Sequence, residues 1–330
     1  MLYKYLSTGH IACPVYFLYS VYMKILSLFD GVSCARLALE KNNIPIELYC
    51  ASEIDKYAIK VTQANRLDTI QVGDVSQLSG KAGQFDLLVG GSPCQDLSIA
   101  KRGRKGLDGD RSGLFWEYVR ILNEVKPKYF ILENVNSMPK EAKDLITKTL
   151  GVEPIIINAA LVSGQMRKRL FWVGKLIGGV YEQVHIPQPE DRHIYLKDIL
   201  IDGIAEKDKS LCVTATYSQA CPRDYFVKSS RQLIKVGEFN KGGQGDRVYS
   251  IEGKSVTLSV NGGGRGAKTG IYETTKGFYR KLHPEECEAL QGMPNMWTNP
   301  TGDISNTQRY KMCGNAFNVD VVAHIISSML

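Results

Sequence analysis

The sequence predicts an α/β protein in which a central, mainly parallel sheet carries a smaller, irregular β-rich domain. Three observations predict it. From Ile25 onward, apolar runs of strand length alternate with turns and with helical spacing. The strands end on chemically active side chains, where ligand-binding α/β sheets place their sites. After Gly178 the texture changes to glycine-rich turns and short β-like runs.

Composition sets outer limits. The 330 residues suffice for one large α/β domain with a smaller insertion, and 41 Lys+Arg against 34 Asp+Glu (formal net charge +7) tilt the surface toward polyanions. An evenly mixed, solvated surface explains such a balance equally well. The eight cysteines include no C-x-x-C pair, and the five histidines are scattered, so a reducing cytoplasm and no metal are expected. Residues 1–23 are apolar and aromatic around Ile11–Tyr22 but lack a small-residue cleavage site and a clean membrane span. Met23 reads as the natural start of the domain, and the residues before it as a poorly ordered extension or a misassigned start.

The first unit is Ile25–Phe29, the turn Asp30-Gly31-Val32-Ser33, helical spacing over Ala35–Glu40, and a second strand over Glu47–Ser52 that ends on Glu53. A carboxylate about 20 residues beyond a glycine turn suits a ribose diol. Only Gly31 stands where a pyrophosphate cradle wants three glycines, and Asp30 adds a negative charge, so a phosphate-free cofactor fits better. A structural βαβ unit without ligand is the plain alternative. Thr69–Val72 forms a third strand ending at Gly73-Asp74-Val75, which alone is no more than a turn with a helix cap.

Leu87-Leu88-Val89 reads as a central strand covered on both faces, running into Gly90-Gly91-Ser92-Pro93-Cys94-Gln95. Glycine relaxes the backbone there, and Pro93 fixes φ just before the thiol. A lone cysteine is more often a small buried hydrophobe. Its place at a strand's carboxyl end makes Cys94 a candidate nucleophile.

Residues 99–113 form a basic, glycine-rich loop that reads as a lid over a polyanion, or as an ordinary solvated loop. Leu114–Leu122 is an amphipathic helix, and Tyr129–Leu132 is a strand ending on Glu133-Asn134-Val135. Ile155–Ile157 and Leu170–Val173 complete the sheet, with Gln165-Met166-Arg167-Lys168-Arg169 between them; on a strand, Arg-x-Arg places both guanidiniums on one face. The division is therefore 1–23, extension; 24–177, α/β domain; 178–279, β-rich domain; and 280–330, a return to the α/β domain through helices at 282–290 and 319–330.

Phe29-Asp30-Gly31, Glu53, Gly73-Asp74-Val75, Pro93-Cys94-Gln95, Glu133-Asn134-Val135, Gln165-x-Arg167-x-Arg169, Arg280–Glu286 and Gly314-Asn315, taken in this order over residues 24–330, resemble the cytosine-5 DNA methyltransferases. The resemblance implies a Rossmann-like methyltransferase sheet with a target-recognition domain at 178–279. It implies transfer of a methyl group from S-adenosyl-L-methionine to C5 of a cytosine flipped out of duplex DNA. Cys94 matches the nucleophile that adds at C6, Glu133 the residue addressing ring N3, and Arg169, with Arg167 beside it, the guanidinium at O2.

Phe29, Asp30, Gly31, Glu53, Asp74, Val75, Pro93, Leu114, Asn315 and Ala316 match cofactor positions. Ser98, Lys101, Arg102, Arg104 and Arg111 of the loop, with Arg247 and Arg265 of the second domain, are candidate DNA contacts. Double-stranded DNA is the implied partner, a cognate restriction endonuclease a candidate one, and a cytoplasmic monomer free of membrane the expected state. Two departures stand out: Ser33 replaces the second glycine of the Phe-x-Gly-x-Gly turn, and Gly-Asn-Ala-Phe replaces Gly-Asn-Ser-Val. Three rival readings fit the sequence less well. A transfer-RNA cytosine methyltransferase lacks its Cys-Phe-Thr element here. A silent DNA-binding regulator sits poorly with a full set of Cys94, Glu133 and both arginines, and a nicotinamide dehydrogenase lacks its glycine fingerprint.

Overall fold

In the computed structural model, residues 22–92, 113–201, 247–251, 255 and 282–330 are described, with the backbone alone of 235–238, 271–275 and 278–281. Residues 1–21, the segment with Pro93, Cys94, Ser98, Lys101, Arg102, Arg104 and Arg111, and the segment with Arg265 lie outside the described residues.

The first half of the chain alternates β1 (Met23–Leu28), α1 (Cys34–Lys41), β2 (Ile46–Ser52), α2 (Lys56–Asn65), β3 (Ile70–Gln71) and β4 (Leu87–Gly90). It continues through α3 (Leu114–Val125), β5 (Tyr129–Val135), α4 (Lys140–Leu150), β6 (Pro154–Asn158), β7 (Lys168–Ile177) and β8 (Val180–Gln183). Four further strands, β9 (Lys235–Glu238), β10 (Arg247–Ser250), β11 (Ile271–Thr275) and β12 (Phe278–Lys281), form a separate sheet in the order β12-β11-β10-β9. The chain closes with α5 (Pro284–Leu290), α6 (Asn306–Asn315) and α7 (Val319–Met329).

The large sheet has the order β3-β2-β1-β4-β5-β7-β6, with β8 paired to β7. Strands β1 to β5 run parallel, and β7 is antiparallel to β5, β6 and β8. The order reverses between β1 and β4, so a crevice opens beyond their carboxyl ends.

Successive residues of β4 feed opposite cores. Leu87 and Val89 join α1, α2, α5, α6 and α7 on one face, while Leu88 joins α3 and α4 on the other. Full burial of each such side chain contributes roughly 1.5–3 kcal/mol, which makes β4 a rigid base for whatever follows it.

The sheet extends past 178. Gly178 and Gly179, both at positive φ, make the two-residue turn from β7 into β8, the geometry that favours glycine at both central positions of a hairpin. Ile186 and Leu196 then pack into the core beside α7, and Arg192 bonds Asp320 at 2.7 Å. Outside both sheets, an isolated parallel bridge joins Ser255 to Gln165: Ser255 N donates to Gly164 O at 2.7 Å and Ser255 O accepts from Met166 N.

Candidate active site

Four strand ends build the first half of the site. At the end of β1, Phe29 (φ 57°), Gly31 (φ 61°) and Ser33 (φ 59°) all take left-handed backbone, producing a tight loop that leads into α1. Glu53, just after β2, reaches back so that its Oε2 accepts from Gly31 N at 2.8 Å, while its Oε1 accepts from Ile54 N and Asp55 N. The carboxylate therefore sits beside the turn, as the spacing predicts.

Asp30 departs from expectation. Its side chain is only 5% exposed and does not present a charge to a ligand: Oδ2 accepts from Ser33 Oγ at 2.5 Å and Oδ1 from Tyr49 OH at 2.7 Å. Burial pushes its carboxyl up, and the hydrogen bonds from the surrounding hydroxyls offset this only in part. Asp30 is thus an internal brace of the loop, because the left-handed turn rotates its side chain into the core.

Beyond β3, Asp74 caps a short 3-10 helix through Ser76 N at 2.9 Å. Val75 is buried, packed on the core face that holds Phe115 and Leu26. Arg120 of α3, flanked by Glu117 and Glu124, donates to Val75 O at 2.9 Å and fixes this turn from outside. Leu114 opens α3 half-buried, and Asn315 is exposed at the end of α6 next to buried Ala316.

Two glycines end the central strand because neighbours approach closely. A Cβ on Gly90 would lie 3.0 Å from Leu28 O and from the Tyr118 ring; one on Gly91 would lie 2.8 Å from the Phe317 ring and 3.2 Å from Glu133 Oε2. Proximity, rather than the conformational freedom inferred from the sequence, is what requires glycine here. Ser92 is buried and accepts from Asn134 Nδ2 at 3.2 Å, tying the β4 end to the β5 end.

Glu133 emerges from β5 and pairs with Arg169 of β7, Nε to Oε1 at 2.9 Å. With Arg167 and Phe317 they line one cavity, so the two guanidiniums do share a side, although β7 begins only at Lys168 and Arg167 precedes it. Arg167 is 4% exposed and donates to Gly314 O at 3.1 Å and Ala316 O at 2.9 Å. It holds the Gly-Asn-Ala turn in place. Gln165, fully buried, donates to Leu290 O.

Sequence reasoning missed Arg120, Tyr49, Phe317 and Trp297. Trp297 Nε1 donates to Val32 O at 2.9 Å, pinning the β1 turn from 265 residues away. Arg247 opens β10 half-buried and is not among the residues that line the Glu133–Arg169 cavity. Among the described residues no three His, Cys, Asp or Glu converge as metal ligands, and no helix is long and apolar enough to cross a membrane.

Comparison with known proteins agrees with this geometry. Residues 23–330 match the sequence model of a family described as C-5 cytosine-specific DNA methylase. The chain is 30% identical over 320 residues to Type II methyltransferase M.HhaI of Haemophilus parahaemolyticus, covering 92% of this chain and 93% of that protein. It is also 30% identical over 322 residues to Type II methyltransferase M1.ScrFI of Lactococcus lactis subsp. cremoris, covering 93% of this chain and 78% of that one. In fold it is similar to the crystal structure of S. pombe Dnmt2 methyltransferase, with a TM-score of 0.63 at 18% identity over 93% of this chain and 98% of that one.

Proposed function

This chain belongs to the C-5 cytosine-specific DNA methylase family and methylates cytosine in DNA, and from that premise we propose which of its residues carry the reaction and how. Cys94 adds to C6 of the cytosine. Glu133 shares a proton with ring N3, which drains electron density toward N3 as the thiol adds. Arg169 holds Glu133 in place and donates to the ring O2. Addition makes C5 nucleophilic; after C5 accepts the methyl group, loss of its proton and departure of the thiol restore the aromatic ring.

The methyl donor is S-adenosyl-L-methionine, which supplies an electrophilic methyl on a sulfonium. The donor set fits such a group. Glu53 is placed beside the Gly31 turn to accept from a ribose diol, and the turn has no glycine cradle for a pyrophosphate. Phe29 offers a half-buried ring face, Asp74 and Val75 an edge, and Leu114, Asn315 and Ala316 further wall, with Pro93 assigned to the cofactor from the sequence alone.

Duplex DNA is the substrate, with the base flipped out because C6 is otherwise hidden in the stack. Ser98, Lys101, Arg102, Arg104 and Arg111 contact it, and the part of 178–279 that follows the large sheet, 202–279, with Arg247 and Arg265, reads the sequence. The protein acts as a cytoplasmic monomer. Since M.HhaI and M1.ScrFI are named Type II methyltransferases, a cognate restriction endonuclease is proposed alongside.

One observation supports this reading above the rest: Glu133 Oε2 lies within 3.2 Å of the Cβ position of Gly91, three residues before Cys94, while Glu133 also holds Arg169. The test is trapping on 5-fluorocytosine duplex DNA with the methyl donor present. A denaturation-resistant adduct is expected from the natural protein and none from Cys94→Ser. An adduct that persists in Cys94→Ser overturns the assignment.

A further inference from the structure

We infer that Asp30 and Ser33 are positioning residues for the cofactor turn, the buried Asp30 carboxyl holding Ser33 in left-handed backbone and so replacing with a side-chain network what glycine supplies in the family's pattern. The inference rests on the reading of residues 29–33 as the S-adenosylmethionine turn.

Ser33 sits at φ 59°, ψ 40° at the start of α1, a conformation that crowds any Cβ. It is not left there unaided. Ser33 Oγ donates to Asp30 Oδ2 at 2.5 Å and lies 3.0 Å from Thr62 Oγ1 of α2; the other Asp30 oxygen accepts from Tyr49 OH of β2 at 2.7 Å. Ser33 and Thr62 are fully buried, and Tyr49 nearly so, so no water competes for these bonds.

The network spans three elements and closes around two residues, Gly31 and Val32, whose backbone groups are in turn held by Glu53 and Trp297. Relaxing Ser33 toward right-handed backbone would rotate Gly31 N away from Glu53 and move Phe29 with it. Such strain persists only where the surroundings over-determine it, and it clusters at binding sites.

The experiment measures S-adenosylhomocysteine affinity by calorimetry on the full chain, together with KM and kcat for methyl transfer. Ser33→Ala keeps the Cβ and removes the bond, so it should lose about tenfold in affinity, whereas Ser33→Gly takes the same backbone freely and should lose about threefold or less. Asp30→Ala should weaken binding about tenfold in the natural background and clearly less in Ser33→Gly, the mark of coupled residues. KM for the methyl donor should rise in each case, with KM for DNA unmoved.

Should Asp30→Ala fail to fold, Tyr49→Phe removes a single bond to the same carboxyl and must weaken binding in the natural chain more than in Ser33→Gly. Equal affinity of Ser33→Ala and Ser33→Gly, or strictly multiplicative effects, overturns the inference while leaving the cofactor reading intact. A natural chain that does not bind S-adenosylhomocysteine overturns the cofactor reading itself and this inference with it.

Discussion

Arg169 Nε lies 2.9 Å from Glu133 Oε1, an ion pair across the antiparallel strands β5 and β7, with both side chains less than one-fifth exposed. A pair this sheltered is costly to break from one side, because the remaining charge stays half-buried without compensation. Arg169→Lys keeps the charge but loses the planar fork, and methyl transfer should fall at least about tenfold. Glu133→Gln should lower it by about 10²–10⁴. S-adenosylhomocysteine affinity should hold in both, and tritium transfer beside calorimetry checks the split.

Gly91→Ala should be deleterious for a steric reason. The new Cβ would press on the Phe317 ring at 2.8 Å and on Glu133 Oε2 at 3.2 Å, an overpacking that costs about 1–3 kcal/mol. Phe317→Val removes the ring that blocks it. The double variant should recover activity relative to Gly91→Ala, and failure to recover would place the clash on Glu133 alone.

Much of this site was legible in the sequence because strand ends carry their residues locally. Leu87–Val89 announced a two-faced strand, and Glu53, Asp74 and Glu133 each follow an apolar run, so their placement at one end of the sheet needed only a parallel order. Contacts between distant segments were not legible. The role of Asp30 depends on Tyr49 and Ser33 turning toward it, and Val32 is held by Trp297; no local pattern encodes either.

The α2, α4 and α6 helices went unread. In α6 tertiary bonds supply what its apolar content lacks, with Arg309 on Glu285 and Glu288 and Lys311 on Asp55. The texture change after Gly178 marks a turn, not the end of the large sheet, which β8 continues.

Trp297→Phe tests the long-range pin. The ring remains to pack under Arg66, whose guanidinium carbon is 5.2 Å from its centroid, but the Nε1 donor to buried Val32 O is lost. An orphaned buried carbonyl costs about 1–3 kcal/mol. KM for the methyl donor should rise severalfold with kcat changed less, and stopped-time assays at varied cofactor concentration measure it.

Acid should loosen the same corner. Burial pushes the Glu40 carboxyl up, but hydrogen bonds and charge from Arg66 and Arg36 outweigh this and hold it below its ordinary value of 4.5. A carboxylate lowered in the folded state adds stability above its unfolded value and loses it as pH falls through the folded one. Glu40→Gln should therefore lower stability by about 1 kcal/mol or less near pH 6, given its partial exposure. That difference should shrink as pH drops below about 4.5, as melting curves over pH 3–7 will reveal.

Sequence reading and chemistry should separate by grafting, and the sheet dictates where to cut. Replacing 178–279 would exchange β8, which pairs with β7, and Ile186 and Leu196 of the core beside α7, so core fit and sequence reading would change together. Replacing 202–281 spares β8, Ile186 and Leu196, provided the donor matches Tyr249 and Ile251, which join the same core. The chain path at position 255 must be kept in the donor, since the backbone there bonds Gly164 and Met166, just before the segment carrying Arg167 and Arg169. Such a chimera, built from a relative of known target, should methylate the donor's sequence with Cys94 as nucleophile, read by bisulfite sequencing. A folded chimera that still methylates the original sequence would move recognition to residues 99–113, and single changes at Lys101, Arg102 or Arg104 would then alter specificity and not only the salt dependence of binding.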